Sequence, residues 1–257
     1  APWKTLRDIA TQELSDQHLR YILDRYATYS GSDPRKAPAV LSTIAYVEES
    51  FGAWHIKGGL GTLATLVHER AEKVGVTFHL NSPVASIDVK KGKAKGITLD
   101  SGEVIEADAV IANADASLIY NVLIKGKIRK IKKVRKNIAK ADPSLAGFSL
   151  LLGMRKDGSE PLNHHTVLFP KDYDAEFDAI FTHKQPVAEP TIYICAPRDE
   201  SMSKDELLEG WFVLVNAPAH GQESFDWSNA EFARNYANSI IDQIEARGIP
   251  VRSRLES

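Results

Sequence analysis

Leu19, Ile22, Leu23 and Tyr26 recur at steps of three, one and three residues, which fall on one face of an α-helix. The pattern predicts a helix over 15–29, with Ser15 at its N-cap, Leu14 stapled against Leu19, and Gly31 as its stop. A second helix fits 38–50, opening on Pro38 and closed by Gly52, because proline is tolerated at the first helical position. A third spans about 62–73 and stops at Gly75. The period then falls to two. Residues 76–80, 84–89, 95–99 and 103–106 read as strands of a short antiparallel meander. Turn signals separate them at Asn81-Ser82-Pro83, Lys91-Gly92-Lys93 and Asp100-Ser101-Gly102. Residues 109–112 read as a short buried strand ending at Asn113.

The segment 125–140 carries Lys125, Lys127, Arg129, Lys130, Lys132, Lys133, Arg135, Lys136 and Lys140 and no acid, while Ile128, Ile131, Val134 and Ile138 keep helical spacing. That is a basic amphipathic helix. Its bland reading is a solvated helix packed on its aliphatic stripe; its functional reading is a contact with an anionic membrane surface. The last third is rich in strands, at 144–153, 166–169, 191–196 and 211–217. A final helix opens on the capping pair Ser228 and Glu231, continues through Phe232, Tyr236, Ile240 and Ile244, and stops at Gly248-Ile249-Pro250.

Composition then removes whole classes. The 257 residues, 43% hydrophobic and 26% charged, leave room for one large domain or two small ones. A net charge of −2 argues against a nucleic-acid partner. The single cysteine, Cys195, rules out an internal disulfide and fits a reducing, cytoplasmic compartment. No run of 18 apolar residues is present, so a membrane contact would be peripheral. The chain lacks an initiator Met and stops soon after a helix; both ends read as cuts in a longer protein.

Candidate chemistry is sparse. His68-Glu69 begins a zinc-protease pattern, but Glu72 stands where the second His belongs. His164 and His165 are adjacent, so on a regular strand they point to opposite faces, and no metal is expected. Cys195 sits in an apolar run and reads as a small hydrophobe. Gly59-Leu60-Gly61-Thr62-Leu63-Ala64 matches a dinucleotide turn in letters, but no buried strand precedes it and no acid follows the next strand. Gly58-Gly59 before a helix would still let backbone amides approach a flat or anionic ligand, or would simply make a tight loop-to-helix turn. Tyr46, Phe51 and Trp54 would line an apolar pocket or sit in the core.

Several motifs together resemble the middle of the bacterial-type phytoene desaturases, a carotenoid desaturase family of flavin-dependent, amine-oxidase-like enzymes. They are Tyr29-Ser30-Gly31-Ser32-Asp33-Pro34, Ala37-Pro38-Ala39, Tyr46-Val47-Glu48 and Gly52-Ala53-Trp54-His55-Ile56-Lys57-Gly58-Gly59. Leu80-Asn81-Ser82-Pro83-Val84, Asp108 to Asp115, His164-His165 and Tyr193-Ile194-Cys195-Ala196-Pro197 continue the match in order. His55 and Ile56 stand where the family usually has Tyr and Pro.

The resemblance implies a mixed α/β (α+β) fold. Residues 1–57 would form the helical part of a substrate domain, 58–120 a partial FAD-binding domain of helix plus antiparallel meander, and 121–257 the sheet and helices of the substrate domain. The family's N-terminal glycine fingerprint lies outside the match, so this chain alone would bind FAD weakly or not at all. The implied cofactor contacts are Gly58, Gly59, Val84, Asn113 and Asp115; the implied substrate contacts are Tyr46, Phe51 and Trp54. The implied reaction is desaturation of a long isoprenoid such as phytoene, with hydride transfer to flavin. Such a substrate would need an apolar tunnel, and the basic segment, through Lys130, Lys132, Lys133 and Lys136, would dock its mouth on a bilayer. Two alternatives stay open: a carotenoid isomerase of the same fold, and a non-catalytic isoprenoid-binding escort.

Overall fold

The computed structural model describes residues 3–126, 128–141, 143–158, 161–203, 205–221 and 224–256; Lys127 of the basic segment lies outside them. The elements run α1 (Leu6–Glu13), α2 (Gln17–Arg25), α3 (Ser42–Phe51), α4 (Leu60–Lys73), β1 (Val84–Lys90), β2 (Lys93–Leu99), β3 (Val104–Glu106), α5 (Ala116–Leu118), α6 (Lys132–Ile138), β4 (Ala146–Arg155), β5 (His165–Leu168), α7 (Tyr173–Phe177), β6 (Ile192–Cys195), β7 (Leu208–Ala217) and α8 (Ala230–Ala246). The chain divides into two compact units, Ala1–Thr65 with Ser144–Ser257, and Leu66–Pro143. The mixed α/β class with two antiparallel sheets is as the sequence implies.

In the first unit, β4-β7-β6-β5 form an antiparallel sheet. Strand side chains alternate between faces. One face carries Leu150, Leu152, Met154, Ile192, Ile194, Trp211, Val213 and Val215, all buried against Ile240, Ile241 and Ile244 of α8. The last helix is therefore amphipathic as read, but its N-cap is Asn229, which accepts from the Glu231 and Phe232 amides. Ser228 turns instead to Asp226.

The helical N-terminal part differs from the expectation at its edges. Asp16, not Ser15, caps α2, because its carboxylate takes the His18 and Leu19 amides. The helix tightens into a 3-10 turn at Tyr26–Ser30, and Gly31 stops it at φ 65°. A Cβ on Gly31 would lie 2.5 Å from Ser144 Cβ, so glycine is required there on two counts. Pro38 is the residue before a 3-10 turn, and α3 starts at Ser42. The sequence reading missed α1, where Thr5 and Asp8 cap each other reciprocally. It also missed α7, although Asp172 caps it and Tyr173, Phe177 and Ile180 hold one buried face. Arg7 of α1 joins these pieces, donating to Asp24 of α2 and to both carboxylate oxygens of Asp174 in α7.

In the second unit, β1, β2 and β3 form the expected meander, with Ile87 and Leu99 buried. Gly96 passes so close to β3 that a Cβ would stand 2.1 Å from the Ile105 carbonyl oxygen. The strands expected at 76–80 and 109–112 do not form. Alternation makes a strand only where a neighbouring edge takes its N–H and C=O groups, and these segments pair with no described strand. Phe78 stacks on His68 instead, and Ile111 is 96% exposed. The basic helix is also shorter than read: a 3-10 turn at Arg129–Ile131 leads into α6. Its guanidinium at Arg135 donates to the carbonyls of Tyr120, Ile124 and Gly126. Those bonds close the segment on itself, and residues 121–143 fall in the compact unit that holds the meander, whereas the sequence division had grouped them with the later sheet.

Candidate functional site

The glycine turn before α4 is organised by Asp199, a residue that sequence reasoning did not single out. One carboxylate oxygen, Oδ2, lies 2.9 Å from His55 Nε2 and accepts the Gly58 amide at 2.6 Å. The other accepts the Ser201 amide at 3.0 Å and the Ser201 hydroxyl. The Ser201 hydroxyl first, then His55 and the Gly58 amide, hold the Asp199 carboxyl below its usual range, so the group is anionic at neutral pH. An aspartate two residues before a serine signals such a local turn. Nothing periodic signals its pairing with a loop some 140 positions earlier.

The turn itself needs glycine. Gly58 and Gly59 have φ of 83° and 80°. A Cβ on Gly58 would fall 2.5 Å from Thr62 Oγ1, and one on Gly59 3.1 Å from Met202 Cε. Their amides were expected to face a ligand. Instead Gly58 donates to Asp199, and Gly59 donates to the Ile56 carbonyl at 2.7 Å. The positive end of α4 is therefore met by this chain's own carboxylate.

The other implied contacts are dispersed. Tyr46, Phe51 and Trp54 are 68%, 70% and 86% exposed, so they are not packed in the core of this chain. Trp54 donates its indole N–H to the Phe51 carbonyl. In the second unit, half-buried Val84 opens β1 opposite Leu99. Asn113 is exposed, and Asp115 is spent on capping α5, accepting from the Ser117 amide and hydroxyl. Lys130, Lys132, Lys133 and Lys136 are all exposed, while Ile131, Val134 and Ile138 are half-buried, as an amphipathic segment requires.

The face of the four-stranded sheet away from α8 is the larger feature. Register aligns Leu151, Phe212, Cys195 and His165 in one row across all four strands, and Ser149, Leu214, Tyr193 and Val167 in the next. Leu151 is 78% exposed on it. On the other side of the Leu151 row Gly153 pairs with Gly210, and a Cβ at Gly210 would meet no atom within 4 Å. The result is an apolar strip of Leu151, Phe212 and Leu214, with Ser149 on β4 and further polar groups toward the β5 edge. At that edge His165 Nδ1 lies 2.7 Å from Tyr193 Oη, and Arg25 stands over the Tyr193 ring. Burial and the neighbouring Cys195 push the Tyr193 phenol up. His164 precedes β5, so the strand rule that separated it from His165 does not apply; their ring centroids are 4.5 Å apart. Burial, His165 and His55 push His164 down.

Comparison with known proteins decides what this architecture is. The family described as flavin containing amine oxidoreductase matches residues 5–210. The chain belongs to that family. Its curated relatives include the zeta-carotene-forming phytoene desaturase of Myxococcus xanthus, 35% identical over 213 residues, covering 82% of this chain and 40% of that protein. The hydroxyneurosporene desaturase of Rubrivivax gelatinosus is 35% identical over 233 residues, covering 90% and 43%. The 1-hydroxycarotenoid 3,4-desaturase of a Flavobacterium strain is 32% identical, covering 86% and 44%. The chain thus spans less than half the length of these relatives, and the carotenoid desaturase resemblance read from its motifs stands. A crystal structure of an oxidoreductase from Methanosarcina mazei shares the fold, with a TM-score of 0.65 at 16% identity over 94% of this chain and 52% of that one.

Membership of this family implies a flavin. A flavin dinucleotide needs unpaired amides and no competing negative charge where its phosphates rest. The Gly58-Gly59 turn offers neither, since both amides are engaged and Asp199 holds the anionic position. The turn does not fit the phosphates of that cofactor.

Proposed function

We propose that this chain supplies the substrate-side part of a flavin-dependent carotenoid desaturase. The sequence match to three carotenoid desaturases along more than four fifths of the chain carries the reading. The exposed apolar strip supports it. A polyene precursor is a long hydrocarbon, so it is held by area and shape, with few polar groups needed. Leu151, Phe212, Leu214 and Val167 offer such a surface, and the open space at Gly210 leaves room beside the strip for an extended chain. The whole protein would remove two hydrogens from a C–C single bond of the precursor to leave a conjugated double bond, with FAD as the oxidant. Within this chain the task is to bind and orient the hydrocarbon and to exclude water. Val84, Asn113 and Asp115 are the proposed cofactor-side residues of the second unit, and the Gly58-Gly59 turn a proposed neighbour of the flavin ring, without a role in holding phosphate.

A substrate that resides in lipid calls for a membrane contact. Lys130, Lys132, Lys133 and Lys136 on the amphipathic segment are its proposed elements, each worth about 1 kcal/mol near an anionic surface. Among the described residues no helix is long and apolar enough to cross a membrane.

The test is product analysis of the whole protein with FAD and phytoene. The expected product is lighter by two hydrogens per step and absorbs at longer wavelength. A product of unchanged mass, or no product from a folded, flavin-loaded protein across C30 and C40 precursors, overturns the reading.

A further inference from the structure

We propose that His164, His165 and Cys195 form a binding site for a zinc-class divalent ion at the β5 edge of the open sheet face. One ring nitrogen from each histidine and the Cys195 Sγ all lie within 4.8 Å of one another. A tetrahedral zinc site, with metal–nitrogen bonds of about 2.0–2.1 Å and a metal–sulfur bond of about 2.3 Å, places its ligand atoms roughly 3.3–3.7 Å apart. Closure therefore asks the most widely spaced pair to approach by about 1–1.5 Å. His164 can supply it by side-chain rotation alone: its carbonyl accepts the Ala196 amide at 2.9 Å, which holds its backbone, while the ring is not part of the β5–β6 pairing that begins at His165 and Cys195.

The donor set selects the ion. Two imidazoles and one thiolate suit a borderline-soft ion such as zinc, and no carboxylate belongs to the group. The thiol gives its proton to solvent as the sulfur–metal bond forms. Three protein ligands leave a fourth position for water.

The surroundings have the form of a supported site. Metal-binding histidines usually hold a second hydrogen-bond partner that orients the ring. The Tyr193 hydroxyl is 2.7 Å from His165 Nδ1, and the two rings stack. The His164 ring meets His55 edge-on at 4.9 Å, and His55 is itself fixed by Asp199. Cys195 faces away from the α8 core, on the opposite side of β6 from Ile192 and Ile194. It is half-buried, and His165 is exposed, so an ion reaches the cluster from solvent. Cys195 is thus not the inert core hydrophobe that its apolar run suggested.

Titration of the purified protein with Co(II) tests the site by absorbance. The expected result is a sulfur-to-metal charge-transfer band in the near ultraviolet with tetrahedral d–d bands in the visible, displaced by Zn(II). Cys195→Ser should abolish the charge-transfer band, and His164→Ala and His165→Ala should each weaken binding tenfold or more. The wild-type protein gives a second readout that no variant can confound. Cys195 is the only thiol in the chain, so stoichiometric Zn(II) should slow its reaction with a disulfide reagent at least tenfold, with recovery on adding a chelator. An unchanged thiol rate in excess Zn(II) overturns the proposal. So does a cobalt–thiolate band that survives in the His164→Ala/His165→Ala double variant.

Discussion

Glu176 is fully buried on α7, and its carboxylate closes the end of the β6–β7 ladder. Oε2 accepts the Thr191 amide at 2.6 Å, and Oε1 accepts Asn216 Nδ2 at 2.7 Å. Glu176→Ala leaves both donors buried without partners, at about 1–3 kcal/mol each. Together that is about 2–6 kcal/mol, or a fall in Tm of about 4–24 °C at about 2–4 °C per kcal/mol for a chain of this size. Glu176→Gln behaves differently. The Gln carbonyl accepts the Thr191 amide, and Asn216 can turn its side-chain amide so that its oxygen accepts from the Gln NH2. Burial pushes the Glu176 carboxyl up from its ordinary 4.5, against the pull of the Thr191 and Asn216 bonds. The folded protein therefore takes up this proton at a higher pH than the unfolded chain does. Its contribution is fully present below pH 4.5 and is lost as pH rises through the raised folded-state value, by up to a factor of about ten in the folding equilibrium per pH unit. The assay is thermal unfolding of wild type and both variants from pH 5 to pH 8. Wild type should lose stability relative to Glu176→Gln as pH rises, while Glu176→Ala stays well below both at pH 5. A Glu176→Ala variant melting within 2 °C of wild type, or a wild-type to Gln difference that is flat with pH, would refute the reasoning.

Other outcomes follow from the same geometry. Titrating FAD into this chain should give no saturable flavin quenching at micromolar protein, since the Gly58 and Gly59 amides are taken; tight binding would contradict that account. Asp199→Ala should free the Gly58 amide and speed hydrogen exchange across residues 55–59, with the α8–sheet core unaffected; unchanged exchange would remove Asp199 as the organiser of the turn. Replacing Lys130, Lys132, Lys133 and Lys136 together with Gln should abolish sedimentation with anionic liposomes, and unchanged sedimentation would reject the membrane contact. Ile244→Ala, at a fully buried position against the sheet, should cost about 2–5 kcal/mol, read as a lower Tm.

The candidate site was legible only in its parts. The glycines before α4 announced a tight turn, and the turn is there. What occupies the Gly58 amide was not legible, because the carboxylate that takes it comes from Asp199, far along the chain. His164 and His165 were set apart by a rule for regular strands, yet β5 begins only at His165. The convergence with Cys195 depends on the β5–β6 register, which no local pattern encodes. The exposed aromatics Tyr46, Phe51 and Trp54 look like core by composition alone. Hydrophobicity marks what favours burial, not what finds a partner.

The sequence by itself determined the local elements and the lineage. Periodicity set the meander, the strands of the larger sheet and the α8 stripe, because side-chain alternation and helical spacing are local properties of the backbone. The motif order gave the carotenoid desaturase kinship, which the comparisons bear out. Tertiary structure alone decided which alternating segments became strands. Residues 76–80 and 109–112 have the pattern but no partner edge, and a strand's hydrogen bonds are made between segments rather than within one. It also decided which donors stay free for a ligand, because an amide or imidazole is available only if no residue elsewhere in the fold has already claimed it.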